Sequence, residues 1–155
     1  MSQERENGGS DRPPFAVADV GSNSVRLVVY ERLARAPLPL FNEKSMCGLG
    51  RGLAATGRLE AGAVECALRA LRRFAHIAEA MGAETLDVVA TEAVRRAANG
   101  PEFLEAARDA CGTEIHVLSG TEEARTAAAG VAFGFFEPDG ISGDLGGGGL
   151  ALDGQ

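Results

Sequence analysis

The sequence predicts an α/β domain in which helices flank a mixed sheet. Short apolar runs typical of strands alternate with longer stretches in which apolar residues recur at helical spacing. The strand-like runs are 15–18, 26–31, 40–47, 85–90, 114–118 and the run that begins at residue 141. The first two runs are joined by a tight turn, the third follows a proline-containing break, and the later ones are connected through helices, so the sheet should contain antiparallel and parallel pairs.

Length and charge restrict the class of protein. With 155 residues, 45% of them hydrophobic, the chain is long enough for one domain and too short for two of ordinary size. A net charge of −7 argues against nucleic acid as a partner, because such binding needs a basic surface. The sequence contains no run of about 18 apolar residues, so no membrane span is predicted. Residues 1–14 are polar, which predicts a disordered lead-in without a signal peptide and a cytoplasmic protein.

The cysteines and histidines give no sign of a metal site. Cys47, Cys66 and Cys111 stand far apart and lack Cys-x-x-Cys spacing. This odd number of distant cysteines indicates neither a disulfide framework nor a zinc site. We expect all three to be small buried or half-buried residues. His76 and His116 lie in a helical and a strand-like stretch, and we expect both to be structural.

The helices carry recognisable boundary signals. The longest is predicted over 59–81, where a glycine follows it. A second is predicted over 102–111, with a proline in its first turn and a glycine after its last. A third begins at Ser119 and runs to about residue 136, because Ser119 and Glu122 have the spacing of a capping box. Glu122 then has a structural use, whereas Glu123 lies about 100° further round the helix and is free to face a cleft.

Two glycine-containing turns each follow an aspartate at a strand end. The first is Asp19-Val20-Gly21-Ser22-Asn23-Ser24 and the second is Asp144-Leu145-Gly146-Gly147-Gly148-Gly149. In the first, glycine allows backbone to approach a ligand, and successive N–H groups form a concave anion-binding nest. Asp19 beside such a nest is typical of a metal ion or a reacting phosphate. Taken alone, the first turn fits an ordinary hairpin with a polar tip equally well.

These turns and the segment Ser119-Gly120-Thr121-Glu122-Glu123-Ala124-Arg125 resemble three motifs of the exopolyphosphatase and guanosine pentaphosphate phosphatase family, in the family's order and spacing. The resemblance covers residues 15–152. It implies the ribonuclease H-like fold of the actin-like ATPase superfamily. It also implies that 15–155 is the N-terminal domain of a larger enzyme, with the second domain absent, and that full-length members form homodimers.

The resemblance implies hydrolysis of the terminal phosphoanhydride of inorganic polyphosphate or guanosine pentaphosphate. Glu123 would act as general base, and Arg95, in a short helix beginning near Thr91, would neutralise the terminal phosphate; the alternative is that Arg95 is a surface residue like its neighbour Arg96. The remaining expected contacts are phosphate binding by Gly21, Ser22, Asn23, Ser24, Gly146, Gly147 and Gly148, and Mg²⁺ binding by Asp19 and Asp144.

One departure from the family's motifs keeps other functions open. Where the family continues its second turn with a serine and then a glutamate two residues later, this chain has Gly149 and Ala151. A non-catalytic phosphate- or nucleotide-sensing module of the same fold is therefore the main alternative, and a sugar kinase or chaperone ATPase is less favoured. The glycines of 48–52 form a loop with only a weak phosphate-binding signal. The resemblance implies that this loop lies near the cleft and that Lys44 and Arg51 are at most minor contacts.

Overall fold

The computed structural model describes residues 12–34, 36–134, 141–146 and 149–154, and the side chains of those up to residue 127. The predicted lead-in therefore lies almost wholly outside the described residues. The helices and strands are β1 Phe15–Val20, β2 Val25–Tyr30, β3 Pro39–Ser45, α1 Leu53–Thr56, α2 Ala61–Ala80, β4 Leu86–Ala90, α3 Glu92–Arg96, α4 Gly100–Cys111, β5 Ile115–Val117, α5 Gly120–Gly134, β6 Ile141–Gly146 and β7 Gly149–Gly154. Of the helices described, none has the length and hydropathy needed to cross a bilayer.

The five strands before α5 form one mixed sheet, as predicted. Its order is β3-β2-β1-β4-β5. β1 and β2 pair antiparallel, as do β2 and β3, whereas β1 with β4 and β4 with β5 pair parallel. Because β1, β4 and β5 run in the same direction, their carboxyl ends meet at one edge, where ligands bind in α/β sheets. β6 and β7 form a separate antiparallel hairpin that contacts α5.

The core lies between one face of the sheet and α2. Alternate residues of the central strands face this layer and are buried, as the two-residue period of a strand requires. On α2, Leu71 and Phe74 are fully buried, and each contributes roughly 1.5–3 kcal/mol through burial of its apolar surface. The buried strand residues are Ala16, Ala18, Val20, Val25, Leu27, Val29, Val88 and Ala90. On the opposite face Phe15 and Tyr30 stack with their ring centroids 5.0 Å apart.

The predicted helix boundaries are confirmed to within two residues at most ends. α4 ends at Cys111 and is capped by Gly112, which has a φ of 73° and donates its N–H to the Arg108 carbonyl. α1 was not predicted, since the segment 48–53 gave only a loop signal. The helix has four residues and is flanked by left-handed glycines at 52 and 57, so it is too short to show a period.

The expectation of no disulfide is wrong for one pair of cysteines. Cys47, after β3, and Cys66, on α2, form a disulfide, with Cα atoms 5.4 Å apart. These residues are 19 positions apart, and only the packing of the segment after β3 against α2 brings them together. Cys111 is free and buried. The predicted burial is confirmed, since Cys47 is buried and Cys66 half-buried.

Candidate active site

The turn between β1 and β2 presents backbone N–H groups on one side. The Gly21 N–H closes the turn by donating to the Ser24 carbonyl at 3.0 Å. The Ser22 and Asn23 carbonyls accept from a neighbouring segment, at 2.8 and 2.9 Å. Because the C=O and N–H of a trans peptide point in opposite directions, the Asn23 and Ser24 N–H groups are directed away from that segment. Successive N–H groups that point to one side give the turn the form of an anion-binding nest.

The neighbouring segment is a part of the site that sequence analysis missed. It is the loop after β3, whose Gly50 N–H donates to Ser22 and whose Gly48 N–H donates to Asn23. A Cβ on Gly50 would lie 2.9 Å from the Ser22 Cβ, so a larger residue would displace one of the two backbones. The glycine spacing was visible in the sequence, but nothing local indicated that its partner was the 21–24 turn.

Asp19 lies beside this turn, near the carboxyl end of β1. Its neighbours Ala18 and Val20 face the core, so Asp19 belongs to the opposite face of the sheet and is exposed. In the sheet register it stands between Arg26 on β2 and Val89 on β4. This position is consistent with the prediction that the Asp19 carboxylate lies next to a ligand bound at the turn.

Arg95 and Glu123 meet at the same edge of the sheet. The Thr91 N–H donates to the Val20 carbonyl at 3.2 Å, which attaches the start of α3 to the end of β1. One helical turn later, Arg95 Nη1 lies 3.6 Å from Glu123 Oε2, and the side chains are 32% and 28% exposed. Arg95 Nη1 also donates to the Leu118 carbonyl at the end of β5. The structure therefore brings together two site residues that are 28 positions apart.

Arg96 has a different environment from Arg95. Its Nη1 lies 2.8 Å from Glu92 Oε1, as expected for an exposed pair four residues apart on a helix. Arg95 differs from Arg96 in its contacts, because it reaches the Leu118 carbonyl after β5 and Glu123 on α5. The two adjacent arginines provide a matched pair for mutagenesis.

The predicted capping box at the start of α5 is confirmed. The Ser119 N–H donates to Glu122 Oε2 at 2.8 Å, and the Glu122 N–H donates to Ser119 Oγ at 3.2 Å. Hydrogen bonding of the Glu122 carboxylate, first by the Ser119 N–H and then by the Ser119 hydroxyl, holds the pKa of Glu122 below its usual value. Glu122 is thus committed to the helix terminus, and the adjacent Glu123 is the carboxylate that reaches Arg95.

The lowered pKa of Glu122 predicts a pH-dependent contribution to stability. A carboxyl group whose pKa is lower in the folded state stabilises the fold above its unfolded pKa of about 4.5, and this contribution is lost as the pH falls through the folded pKa. We expect Glu122→Gln to lower the urea midpoint at pH 7 and to have less effect as the pH is lowered below 4.5. Urea titrations from pH 7 to 3 measure this difference. An equal difference at every pH would contradict the assignment.

The second predicted phosphate turn is described in part. Gly146 ends β6 and pairs with Gly149, and Asp144 pairs with Ala151 across the hairpin. Gly147 and Gly148 lie outside the described residues, and the Asp144 side chain is likewise not among those described. Phosphate binding at this turn and Mg²⁺ binding by Asp144 stay predictions.

The Ppx/GppA phosphatase family matches residues 28–152 of this chain. The chain belongs to that family. A solved Ppx/GppA member from Aquifex aeolicus is 31% identical, with a TM-score of 0.78 over 88% of this chain and 45% of its own. An exopolyphosphatase from Cytophaga hutchinsonii is 27% identical, with a TM-score of 0.80 over 86% of this chain and 44% of its own. This chain thus spans about 45% of the length of these Ppx/GppA proteins.

A more distant match shows the fold alone. The ethanolamine utilization protein EutJ from Carboxydothermus hydrogenoformans is 18% identical, with a TM-score of 0.56. The predicted fold is confirmed: the Ppx/GppA chain has the ribonuclease H-like domain of the actin-like ATPase superfamily, with helices flanking a mixed sheet.

Proposed function

We propose that this chain is the phosphate-binding domain of a hydrolase that releases the terminal phosphate from inorganic polyphosphate or guanosine pentaphosphate. The observation that carries the proposal is the common location of an N–H nest, a guanidinium and a carboxylate at one edge of the sheet. Family membership supports phosphohydrolysis in general. The name of the exopolyphosphatase relative supplies one candidate substrate class, polyphosphate, and the family resemblance of the motifs implies the other, guanosine pentaphosphate.

The proposed mechanism assigns a different task to each group. The N–H groups of Asn23 and Ser24 hold phosphate oxygens without reaction. A water molecule attacks the terminal phosphorus in line with the departing anhydride oxygen, and Glu123 accepts the proton that the water loses. Arg95 keeps its bond to Leu118 and turns its other N–H groups to the terminal phosphate, since a guanidinium has five donors.

Mg²⁺ is part of the proposal. The carboxylate of Asp19, near the turn, is the type of ligand that this ion prefers. Within the described residues no three His, Cys, Asp or Glu side chains come together as a metal site. Mg²⁺ does not require such a cluster, because it is commonly bound by one or two carboxylates, water and substrate phosphates. Asp19 and Asp144 would hold the ion, which would neutralise charge on the phosphate oxygens.

Other parts of the setting are also proposals. We infer a cytoplasmic location and a homodimer of full-length protein, as the family resemblance implies. Nucleic acid is not a proposed partner, since the net charge of −7 opposes it.

The adjacent arginines test the site in the 155-residue chain itself. We expect Arg95→Ala to weaken binding of inorganic tripolyphosphate by about fivefold, the loss of roughly 1 kcal/mol typical of an exposed ion pair. Arg96→Ala should leave affinity unchanged, because its guanidinium is paired with Glu92. Isothermal titration calorimetry measures both affinities, and thermal unfolding checks that the variants are folded. Equal losses in the two variants would contradict a specific role for Arg95.

Activity requires a protein of family length. We define the hybrid as residues 1–155 joined to the remaining C-terminal part of the Aquifex aeolicus relative, because this chain spans about 45% of that protein. Release of inorganic phosphate by the hybrid, with Mg²⁺ and either substrate, tests the proposed function. No release from either substrate by a folded hybrid would contradict it.

A second candidate is phosphate binding without hydrolysis. It is favoured by the pairing of Asp144 with Ala151, where the expected carboxylate is missing. Tight tripolyphosphate binding by the chain, together with an inactive hybrid, would favour this sensing function.

A further inference from the structure

We propose that the Cys47–Cys66 disulfide is a redox-controlled anchor that sets the anion affinity of the 21–24 turn. The inference rests on the proposed phosphate-binding function of that turn. It concerns the regulation of the turn by the segment 46–50, which follows β3.

The segment joins α2 to the turn within a few residues. Cys47 is bonded to Cys66 in the second turn of α2. The next residue, Gly48, donates its N–H to the Asn23 carbonyl, and Gly50 donates to the Ser22 carbonyl. Between these donors Leu49 is fully buried. A covalent bond and a buried side chain therefore fix the two donors that orient the turn.

If segment 46–50 became more mobile, the peptide planes of the 21–24 turn would lose their fixed orientation. The Asn23 and Ser24 N–H groups point away from the segment, to the side proposed to bind phosphate, because the carbonyls of Ser22 and Asn23 accept from Gly50 and Gly48. When the disulfide is reduced, Leu49 still holds the segment but Cys47 no longer does. The binding-ready turn is then less populated, and apparent affinity falls in proportion to that population.

The chemical step is thiol–disulfide exchange with a low-molecular-weight disulfide. The Cys66 thiolate attacks this disulfide, forming a mixed disulfide and releasing one small thiolate. The Cys47 thiolate then attacks the Cys66 sulfur, which forms the protein disulfide and releases the second thiolate. The two protein thiols lose two protons and two electrons, and the small disulfide gains these two electrons and two protons to become two thiols.

Exposure identifies Cys66 as the point of attack. Cys66 is half-buried whereas Cys47 is buried. Met46, which precedes Cys47 in the chain, is 69% exposed, so the disulfide lies near the surface. In the proposed cytoplasmic setting the reduced form would prevail, and a disulfide there would be transient and responsive to oxidation.

The test uses the 155-residue chain with Cys111→Ser, so that only the pair can react. It is prepared oxidised or reduced with dithiothreitol, the state being verified by mass spectrometry. We expect the oxidised form to bind inorganic tripolyphosphate about fivefold more tightly. The Gly48 and Gly50 amides should exchange hydrogen about fivefold more slowly in that form. Cys47→Ser should behave as reduced in both measurements, whatever the dithiothreitol concentration.

A variant that leaves both thiols in place gives independent evidence. Gly50→Ala pushes against Ser22 and should weaken tripolyphosphate binding even in the oxidised chain. Gly62→Ala, with nothing within 4 Å of the added Cβ, is the matched control and should not.

The outcomes separate the two proposals. Equal affinity and equal amide exchange in the oxidised and reduced forms would overturn the anchor, as would failure of the pair to oxidise. Binding that is tight but insensitive to redox state would overturn the anchor and leave the proposed function standing. If neither form binds tripolyphosphate, the proposed phosphate function is wrong, and the proposed control of affinity is wrong with it. This holds even if a difference in amide exchange shows that the segment is coupled to the disulfide.

Discussion

Glu123→Gln in the hybrid is expected to lower kcat for phosphate release by about 100-fold or more, the contribution typical of a general base. Glutamine has nearly the same shape but cannot accept the proton from the attacking water. The Arg95 contact should persist in part, because the amide oxygen can still accept a hydrogen bond. KM should therefore change much less than kcat. Steady-state kinetics with polyphosphate over a range of Mg²⁺ concentrations separate the two parameters.

Glu122→Gln is the matched control at the adjacent position. Glu122 is engaged with Ser119 at the helix terminus, so its loss should affect stability and leave kcat nearly unchanged. If Glu122→Gln lowered kcat more than Glu123→Gln in equally folded proteins, the assignment of the base would be wrong.

Gly149→Ser combined with Ala151→Glu should raise Mg²⁺-dependent activity of the hybrid by at least about tenfold, or roughly 1.4 kcal/mol of transition-state stabilisation. The hairpin register supplies the reason, because residues 144 and 151 are cross-strand partners and such partners share a face. A glutamate at 151 would place a second oxygen ligand beside Asp144, where Mg²⁺ is proposed to bind. A serine at 149 would restrain the glycine turn and offer a hydroxyl to phosphate.

Ala151→Gln with Gly149→Ser controls for size and flexibility. This control hybrid carries no added charge. Its activity should therefore rise less, and the Mg²⁺ concentration needed for half-maximal activity should not fall. Unchanged activity in the Gly149→Ser, Ala151→Glu hybrid, with circular dichroism showing an intact fold, would mean that these positions do not limit the chemistry.

Features that depend on neighbours along the chain were predicted well. Ser119 and Glu122 are three residues apart, and the capping box they form needs no tertiary information. The strands of the mixed sheet were recognised because their β-rich runs are bounded by turns and helices. The different environments of Glu122 and Glu123 follow from helical geometry, since Glu122 caps the helix and Glu123, about 100° further round, contacts Arg95.

Features created by long-range packing were not predicted. The contact between the 48–50 loop and the 21–24 turn depends on how β3 returns beside β2. The disulfide depends on the same packing, and its cysteines have no diagnostic spacing. Neither the loop contact nor the disulfide could be predicted, because no pattern of neighbouring residues indicates which surfaces pack together there.

The position of β1 at the centre of the sheet has a consequence for the order of folding. β1 pairs with the adjacent β2 through local contacts, but Ala16 meets Leu86 on β4 only after 70 further residues. Local pairings form faster than distant parallel ones, because closing a long loop costs more chain entropy. We therefore expect the 21–24 turn to form early with its hairpin. Arg95 and Glu123 would join it only when β4 and β5 dock, so the candidate site would be assembled in the last stage of folding.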